Sequence, residues 1–140
     1  MKSDFNAYSY LVQHGVKPSV QRLAIITYLH EHRTHPTVDE IHAGLINQIP
    51  TLSKTTVYNT LSLFQKQGAI LVLTIDDKNV RFDIDTSDHA HFKCLKCEKV
   101  FDVPTVMESI VSMALAQGFV VTERHLYLKG YCSDCTEHHK

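Results

Sequence analysis

Two Cys-x-x-Cys pairs, Cys94–Cys97 and Cys132–Cys135, set the tightest limit on what this chain can fold into. Each pair can close a tight turn and aim two thiolates at one ion, and four thiolates form a closed tetrahedral set that suits zinc. The first pair opens and the second closes a stretch of mixed strand and helix, so one ion would tie its ends together. The alternative is two unrelated pairs of free or redox-active thiols. A thioredoxin-like centre needs one pair behind a strand in a βαβ pattern, and none is read here. A closed four-thiolate site has no open position for substrate, so the expectation is a structural zinc on Cys94, Cys97, Cys132 and Cys135 rather than catalysis.

The compartment agrees with metal rather than disulfide chemistry. No apolar run approaches the roughly 20 residues needed to cross a bilayer. The N-terminal stretch "MKSDFNAYSYLVQHG" has neither a long apolar core nor a small-residue cleavage site. A cytoplasmic chain with no membrane partner is expected, and there thiols stay reduced or bind metal. With 44% hydrophobic and 21% charged residues over 140 positions, the chain is globular, with one ordinary domain or two small ones. The formal net charge of −1 gives no electrostatic support for nucleic acid, so any case for DNA must come from motif and fold.

Up to Gly68 the sequence reads as consecutive helices. "FNAYSYLVQHG" is a short amphipathic helix stopped at Gly15. "PSVQRLAIITYLHEH" puts Val20, Leu23, Ile26 and Tyr28 near helical spacing, with Ala24 and Ile25 widening the face. "TVDEIHAGLINQI" has Thr37 as N-cap, Glu40 completing a capping box, and Pro50 as its end. "SKTTVYNTLSLFQKQG" starts at Ser53 and carries Val57, Leu61 and Phe64 on one stripe. The period then changes: "AILVLTI" and "VRFDID" read as two strands around a "DDKN" turn. Helices followed by a hairpin is the order of a winged helix-turn-helix, whose last helix enters the major groove.

The remainder is a small α+β unit. "HAHFKC" and "KVFDV" are short strands, "TVMESIVSMALAQG" is a helix with Val106, Ile110, Met113 and Leu115 facing a core, and "FVVTERHLYLKGYC" is strand-rich. The fold class is α+β. A winged-helix DNA-binding domain occupies 1–84, a hinge 85–88, and an α/β dimerisation and metal-binding domain 89–140. The second domain is small enough to need a metal and a partner subunit.

A second, chemically different metal set interleaves with the thiols. His89 and His91 are two apart and share one side of a strand. Asp83 precedes them across the hinge, Asp102 lies on the return strand, and His35 sits in the loop before the third helix. Imidazoles with carboxylates prefer Fe(II), Mn(II), Zn or Co(II). A site that also takes His35 and Asp83 would bridge the two halves, so its metal would act as a switch by favouring one arrangement. His14, His30, His32 and His42 are read as ordinary polar surface residues. On the fourth helix Ser53, Lys54, Thr55, Thr56, Tyr58 and Asn59 face outward. Lys17, Gln21 and Arg22 can hold phosphate. No Arg lies in that outward run, so readout would lean on van der Waals contact and DNA shape.

Taken together, "QR" at Gln21–Arg22, "HPT-DEI" at His35–Ile41, "S--TVYN-L" at Ser53–Leu61, "RFD" at Arg81–Asp83, "DHAH" at Asp88–His91 and both Cys pairs resemble the ferric uptake regulator (Fur) superfamily of metal-dependent bacterial repressors. The resemblance runs from about Tyr10 to Cys135. It is nearest the peroxide-sensing PerR branch, whose His, Asp, His, His, Asp site matches His35, Asp83, His89, His91 and Asp102. Iron-sensing members tend to carry Glu where this chain has Asp83 and Asp102. They also often have a further site on a His-His-Asp-His run, where this chain has Ala90 and so lacks a ligand, which sets aside Glu108 and His125. The resemblance implies a homodimer on a palindromic operator, with one structural zinc and one regulatory Fe(II) or Mn(II) per subunit. It also implies oxidation of His35 or His89 when peroxide meets bound iron, with no other small-molecule substrate. A family member that senses iron, manganese or zinc concentration is the alternative. A metal-dependent hydrolase or deaminase finds no H-E-x-x-H and no H-x-E partner for a P-C-x-x-C. A zinc-ribbon interaction module leaves "TTVYN" and the five-residue site unexplained.

Overall fold

A computed structural model describes residues 5–76, 78–87, 89–105 and 107–136. The chain divides into two compact units, Met1–Thr86 and Ser87–Lys140. Asp88 of the expected hinge, Val106 of the expected helix stripe and the terminal 137–140 lie outside the described residues.

Side-chain caps start the four helices of the first unit. Asn6, Ser19, Thr37 and Ser53 each accept a backbone N–H three residues on, opening α1 (Ala7–Gln13), α2 (Val20–Glu31), α3 (Val38–Leu45) and α4 (Lys54–Lys66). Thr37 and Glu40 form the full capping box. Gly15 and Gly68, just beyond α1 and α4, both sit at φ +73°, the left-handed turn that ends a helix most easily at glycine. Val57, Leu61 and Phe64 recur at helical spacing and are buried with Leu11, Ile25, Ile26, Leu29 and Ile41.

Two helix readings need correction. The buried face of α2 is Ile25, Ile26 and Leu29, while Val20 is 76% exposed at its first turn. Four-residue spacing from Ile25 to Leu29 decides the face, and Val20 falls outside it. Helix α3 ends at Leu45, not Pro50; the following turns bury Leu52 beneath the helices. His42 is no surface bystander either, since its Nε2 bonds the Leu52 carbonyl at 2.8 Å. The hairpin pairs β1 (Leu71–Leu73) antiparallel to β2 (Arg81–Asp83), with Leu71 opposite Asp83 and Leu73 opposite Arg81. Only three residues of each expected strand join the ladder.

In the second unit β3 (His89–Cys94) is the central strand. It pairs antiparallel with β4 (Val100–Pro104) and parallel with β5 (Tyr127–Gly130), giving the order β4-β3-β5. The β3–β4 register sets His91 directly opposite Asp102. Helix α5 (Glu108–Ala116) lies in the crossover to β5, and α6 (Ser133–Thr136) follows. Of "FVVTERHLYLKGYC", only Tyr127–Gly130 is strand. The expected core stripe of α5 is turned outward: Ile110, Met113 and Leu115 are exposed, as are Phe119 and Val120 beyond it. No residue of α5 is buried within this unit, so periodicity found the apolar stripe but not what faces it. Among the described residues, no helix is long and apolar enough to cross a membrane.

Phe64→Ala is expected to destabilise the first unit by about 3–5 kcal/mol, since it empties a fully buried site. Thr37→Ala is expected to cost only about 1 kcal/mol through the lost cap. Urea unfolding of both variants measures the difference.

Candidate metal centres

The four cysteines converge at one end of the second unit's sheet. Cys94 ends β3, and Cys97 follows in a tight turn in which the Glu98 N–H bonds the Cys94 carbonyl at 3.0 Å, with Glu98 at φ 64°. Cys132 precedes α6 and Cys135 lies within it, where the Cys135 N–H bonds the Cys132 carbonyl at 3.0 Å. One hydrogen bond, from the Leu95 N–H to the Gly130 carbonyl at 2.7 Å, brings the strand ends that carry the two pairs together. All four sulfurs lie within 4.8 Å of one another. Cys97 Sγ and Cys132 Sγ are 3.8 Å apart. That is no disulfide, which needs about 2.05 Å. It is the spacing of two thiolates on one tetrahedral zinc, about 3.8 Å for bonds of about 2.3 Å.

The thiols are chemically unequal. Burial pushes the Cys94 thiol up, but backbone N–H groups of Cys132, Cys97 and Lys96 point at its sulfur and hold it down at about 6. The Cys135 thiol, hydrogen-bonded by Cys132 and desolvated, is pushed up to about 12. For Cys97 the Lys99 N–H favours the thiolate, but desolvation and the neighbouring thiols outweigh it and raise the group. Without a cation the cluster sets a ready thiolate at Cys94 beside the raised thiols of Cys97 and Cys135. A divalent ion would make all four thiolates compatible, so the donor set fits zinc.

Of the nitrogen–oxygen residues, His35 and Asp83 belong to the first unit and His89, His91 and Asp102 to the second. In the second unit, His89 Nε2 and His91 Nε2 approach the same oxygen, Asp102 Oδ1, at 3.3 and 3.4 Å. Alternation on β3 puts both rings on one side, and the register brings Asp102 to them. His89 Nδ1 lies 2.7 Å from the Ser87 carbonyl, which can only accept, so Nδ1 carries the proton. In the neutral ring the Nε2 lone pair then faces a carboxylate oxygen. Either a proton on Nε2 or a metal ion between the two atoms makes that contact favourable. Adjacent donors around an ion at about 2.1 Å are roughly 3–3.5 Å apart, so each ring nitrogen stands at ligand-pair spacing from Asp102 Oδ1.

In the first unit His35 Nε2 is 3.4 Å from Asp83 Oδ2, with both side chains buried. His35 adopts φ 60°, a left-handed conformation costing on the order of 1–3 kcal/mol for a non-glycine residue. Flanking hydrogen bonds hold it there: its carbonyl accepts from Arg81 Nη1 at 3.0 Å, and the Pro36 carbonyl accepts from the Phe82 N–H at 3.1 Å. His35 thus stands beside Asp83, and His89 and His91 stand beside Asp102. The roles of Arg81 and of the Ser87 carbonyl did not enter the sequence reading. The only signal for Arg81 was its place two residues before Asp83, on the same face of β2. Glu108 is exposed on the first turn of α5, and His125 Nε2 is 3.4 Å from Glu123 instead.

The expected DNA-facing residues are spread over the surface of the first unit. On α4, Ser53, Lys54, Thr55 and Asn59 are exposed and Tyr58 is 59% exposed, while Thr56 is half-buried. Ser53 Oγ and Thr56 Oγ1 bond each other at 2.9 Å, and Lys54 reaches Asp39 at 3.2 Å. Lys17 is exposed, Gln21 and Arg22 are half-buried, and Arg22 Nη1 donates to the Lys17 carbonyl at 2.8 Å.

Comparison with known proteins places these features in one lineage. Residues 13–129 match the model of the Ferric uptake regulator family. The chain is 38% identical over 129 residues to the peroxide operon regulator of Bacillus subtilis (strain 168), covering 91% of this chain and 89% of that one. It is 36% identical over 129 residues to the peroxide-responsive repressor PerR of Staphylococcus aureus (strain USA300), covering 91% and 87%. Its fold is similar to that of the Helicobacter pylori ferric uptake regulator Fur, with a TM-score of 0.75 at 21% identity and full coverage of both chains.

Zinc loading at pH 8 is expected to release at least two protons per chain, from the raised thiols of Cys97 and Cys135. Protons compete for the same sulfurs, so zinc affinity falls as pH falls, and most steeply once Cys94 protonates near 6. Titration in buffers of different ionisation enthalpy counts the protons. Cys97→Ser is expected to lose the zinc and to unfold the second unit, because a structural zinc site can supply on the order of 10 kcal/mol.

Proposed function

Because this chain belongs to the ferric uptake regulator family, we propose that it is a metal-dependent transcriptional repressor whose repression is lifted by hydrogen peroxide. It is a regulator rather than an enzyme. It works in the cytoplasm as a homodimer on palindromic operator DNA. The observation that carries this reading is the convergence of His89 and His91 on one oxygen of Asp102, with the His89 proton committed to the Ser87 carbonyl. Such a donor set is built for a cation, and it is chemically unlike the thiol cluster.

His35, Asp83, His89, His91 and Asp102 are the proposed ligands of one regulatory Fe(II) or Mn(II). Two ligands belong to the first unit and three to the second, so binding would restrict the two units to one arrangement. Bound Fe(II) would promote the reaction in which peroxide gives one oxygen atom to a ligand imidazole and leaves as water, whereas bound Mn(II) would support DNA binding without that chemistry. His35 and His89 are the proposed oxidation-sensitive ligands. An oxidised imidazole is a poorer donor, so the site loosens. Cys94, Cys97, Cys132 and Cys135 hold the structural zinc throughout.

The exposed face of α4 supports its assignment as the recognition helix, with Tyr58 and Asn59 reaching bases and Ser53, Lys54, Thr55 and Thr56 near the backbone. The Lys54–Asp39 pair is exposed on both sides, so it is weak and can be exchanged for a phosphate. Lys17, Gln21 and Arg22 take further phosphates. The outward apolar residues of α5 favour a second copy as their cover. Sensing of iron, manganese or zinc concentration alone is the competing reading, and reactivity separates the two.

The test uses the palindromic duplex that the Mn(II)-loaded protein selects from genomic fragments. Micromolar peroxide is expected to abolish binding of the Fe(II)-loaded protein only, with one added oxygen on the peptide holding His35 or His89 by mass spectrometry. Unchanged binding with both metals would make the protein a metal-concentration sensor. His91→Ala is expected to leave a folded, zinc-containing dimer that no longer binds the duplex; an unfolded variant would make the site structural.

A further inference from the structure

We infer that Arg81 is a positioning residue that couples metal at His35 and Asp83 to the hairpin turn and to the start of α3. The inference rests on the reading of those two residues as ligands. All of its contacts lie in the first unit.

Arg81 and Asp83 are two apart on β2 and so share a face. Together they grip His35 at both ends. Asp83 Oδ2 is 3.4 Å from the ring, and Arg81 Nη1 donates to the backbone carbonyl at 3.0 Å. The left-handed conformation of His35 therefore depends on where the guanidinium sits. The rest of that guanidinium is committed elsewhere. Its Nε and Nη2 both donate to Asp76 Oδ2, at 3.1 and 3.0 Å. Asp76 uses its other oxygen to accept the Lys78 N–H at 2.9 Å, which shapes the hairpin turn. Nη1 also lies 3.7 Å from Glu40 Oε1, the oxygen that closes the capping box of α3 on the Thr37 N–H.

The Arg81 and Asp76 side chains are only 15% and 6% exposed. Their pair is therefore shielded, unlike the exposed Lys54–Asp39 pair. The planar fork has a fixed geometry that Lys cannot reproduce. Ring position, carbonyl position and guanidinium position are thus linked in series. An ion that fixes the His35 ring restricts the guanidinium, and through it the turn and the α3 cap. By reciprocity, a hairpin held by DNA favours the metal-binding form of His35.

The test uses full-length, zinc-loaded protein and the duplex selected by the wild type. Two quantities are measured: Mn(II) affinity without DNA, and the ratio of duplex affinities with and without Mn(II). For Arg81→Gln, Mn(II) binding is expected to weaken about tenfold or more, as for other groups that orient a ligand. The ratio is expected to shrink with it while zinc content holds. Arg81→Lys is expected not to restore either. A residue that only staples the hairpin would lower duplex affinity equally in both metal states and leave Mn(II) affinity alone; that result overturns the inference, as does wild-type behaviour of the Lys variant. Should Arg81→Gln not fold, Asp76→Asn frees the same guanidinium and is expected to move both readouts in the same direction; no change there also overturns it. A wild type whose duplex binding ignores Mn(II) would sink the underlying reading and this inference with it.

Discussion

The meeting of four thiols at the end of a three-stranded sheet is the constraint on which the second unit depends. Its strands are four to six residues long, and α6 has a single turn. Elements this short are unstable alone. Its buried apolar residues among those described are few, chiefly Ala90, Cys94, Val100 and Met107. Such a core cannot offset the chain entropy lost on folding. The thiol cluster joins the strand that presents His89 and His91 to the last strand of the sheet, so the geometry of one metal set depends on the integrity of the other.

The first unit is held by different means. Helices α1 to α4 bury a continuous apolar cluster around Phe64, and every helix has a side-chain cap. Among its described residues His35 is the one non-glycine at positive φ, and it is a proposed ligand. Stored strain beside a rigid core is a common feature of functional positions. The core also fixes β2, so Arg81 and Asp83 approach His35 from a firm base.

Much of this was legible in the sequence, and the exceptions have physical causes. Caps at Ser53 and Thr37, the stripe Val57–Leu61–Phe64 and the hairpin order are local signals, and local signals survive folding. The Cys spacing announced a four-thiol centre because two turns and one ion suffice to define it. The alternation of His89 and His91 was readable, but their meeting with Asp102 depends on strand register, which a sequence fixes only through its pairing partner. The outward face of α5 was misread because periodicity reports a stripe without saying whether the same chain covers it. Val20 misled for a similar reason, as one more apolar residue near the right phase. The Arg81 network was invisible because it joins residues 76, 81, 35 and 40 through tertiary contacts.

The parallel pairing of β5 with β3 sets an order of events during synthesis. The core cluster, the helix caps and the hairpin of the first unit are all built from its own residues, so it can fold as soon as it leaves the ribosome. The second unit cannot. Cys97 and Cys132 are 35 residues apart, and β3 must wait for the crossover through α5 before its parallel neighbour exists. During that interval β3 has an unpaired edge and Cys94 and Cys97 are a half-filled thiol pair, open to oxidation or to the wrong metal. A winged helix can thus be finished on a nascent chain whose metal-sensing part is still unformed.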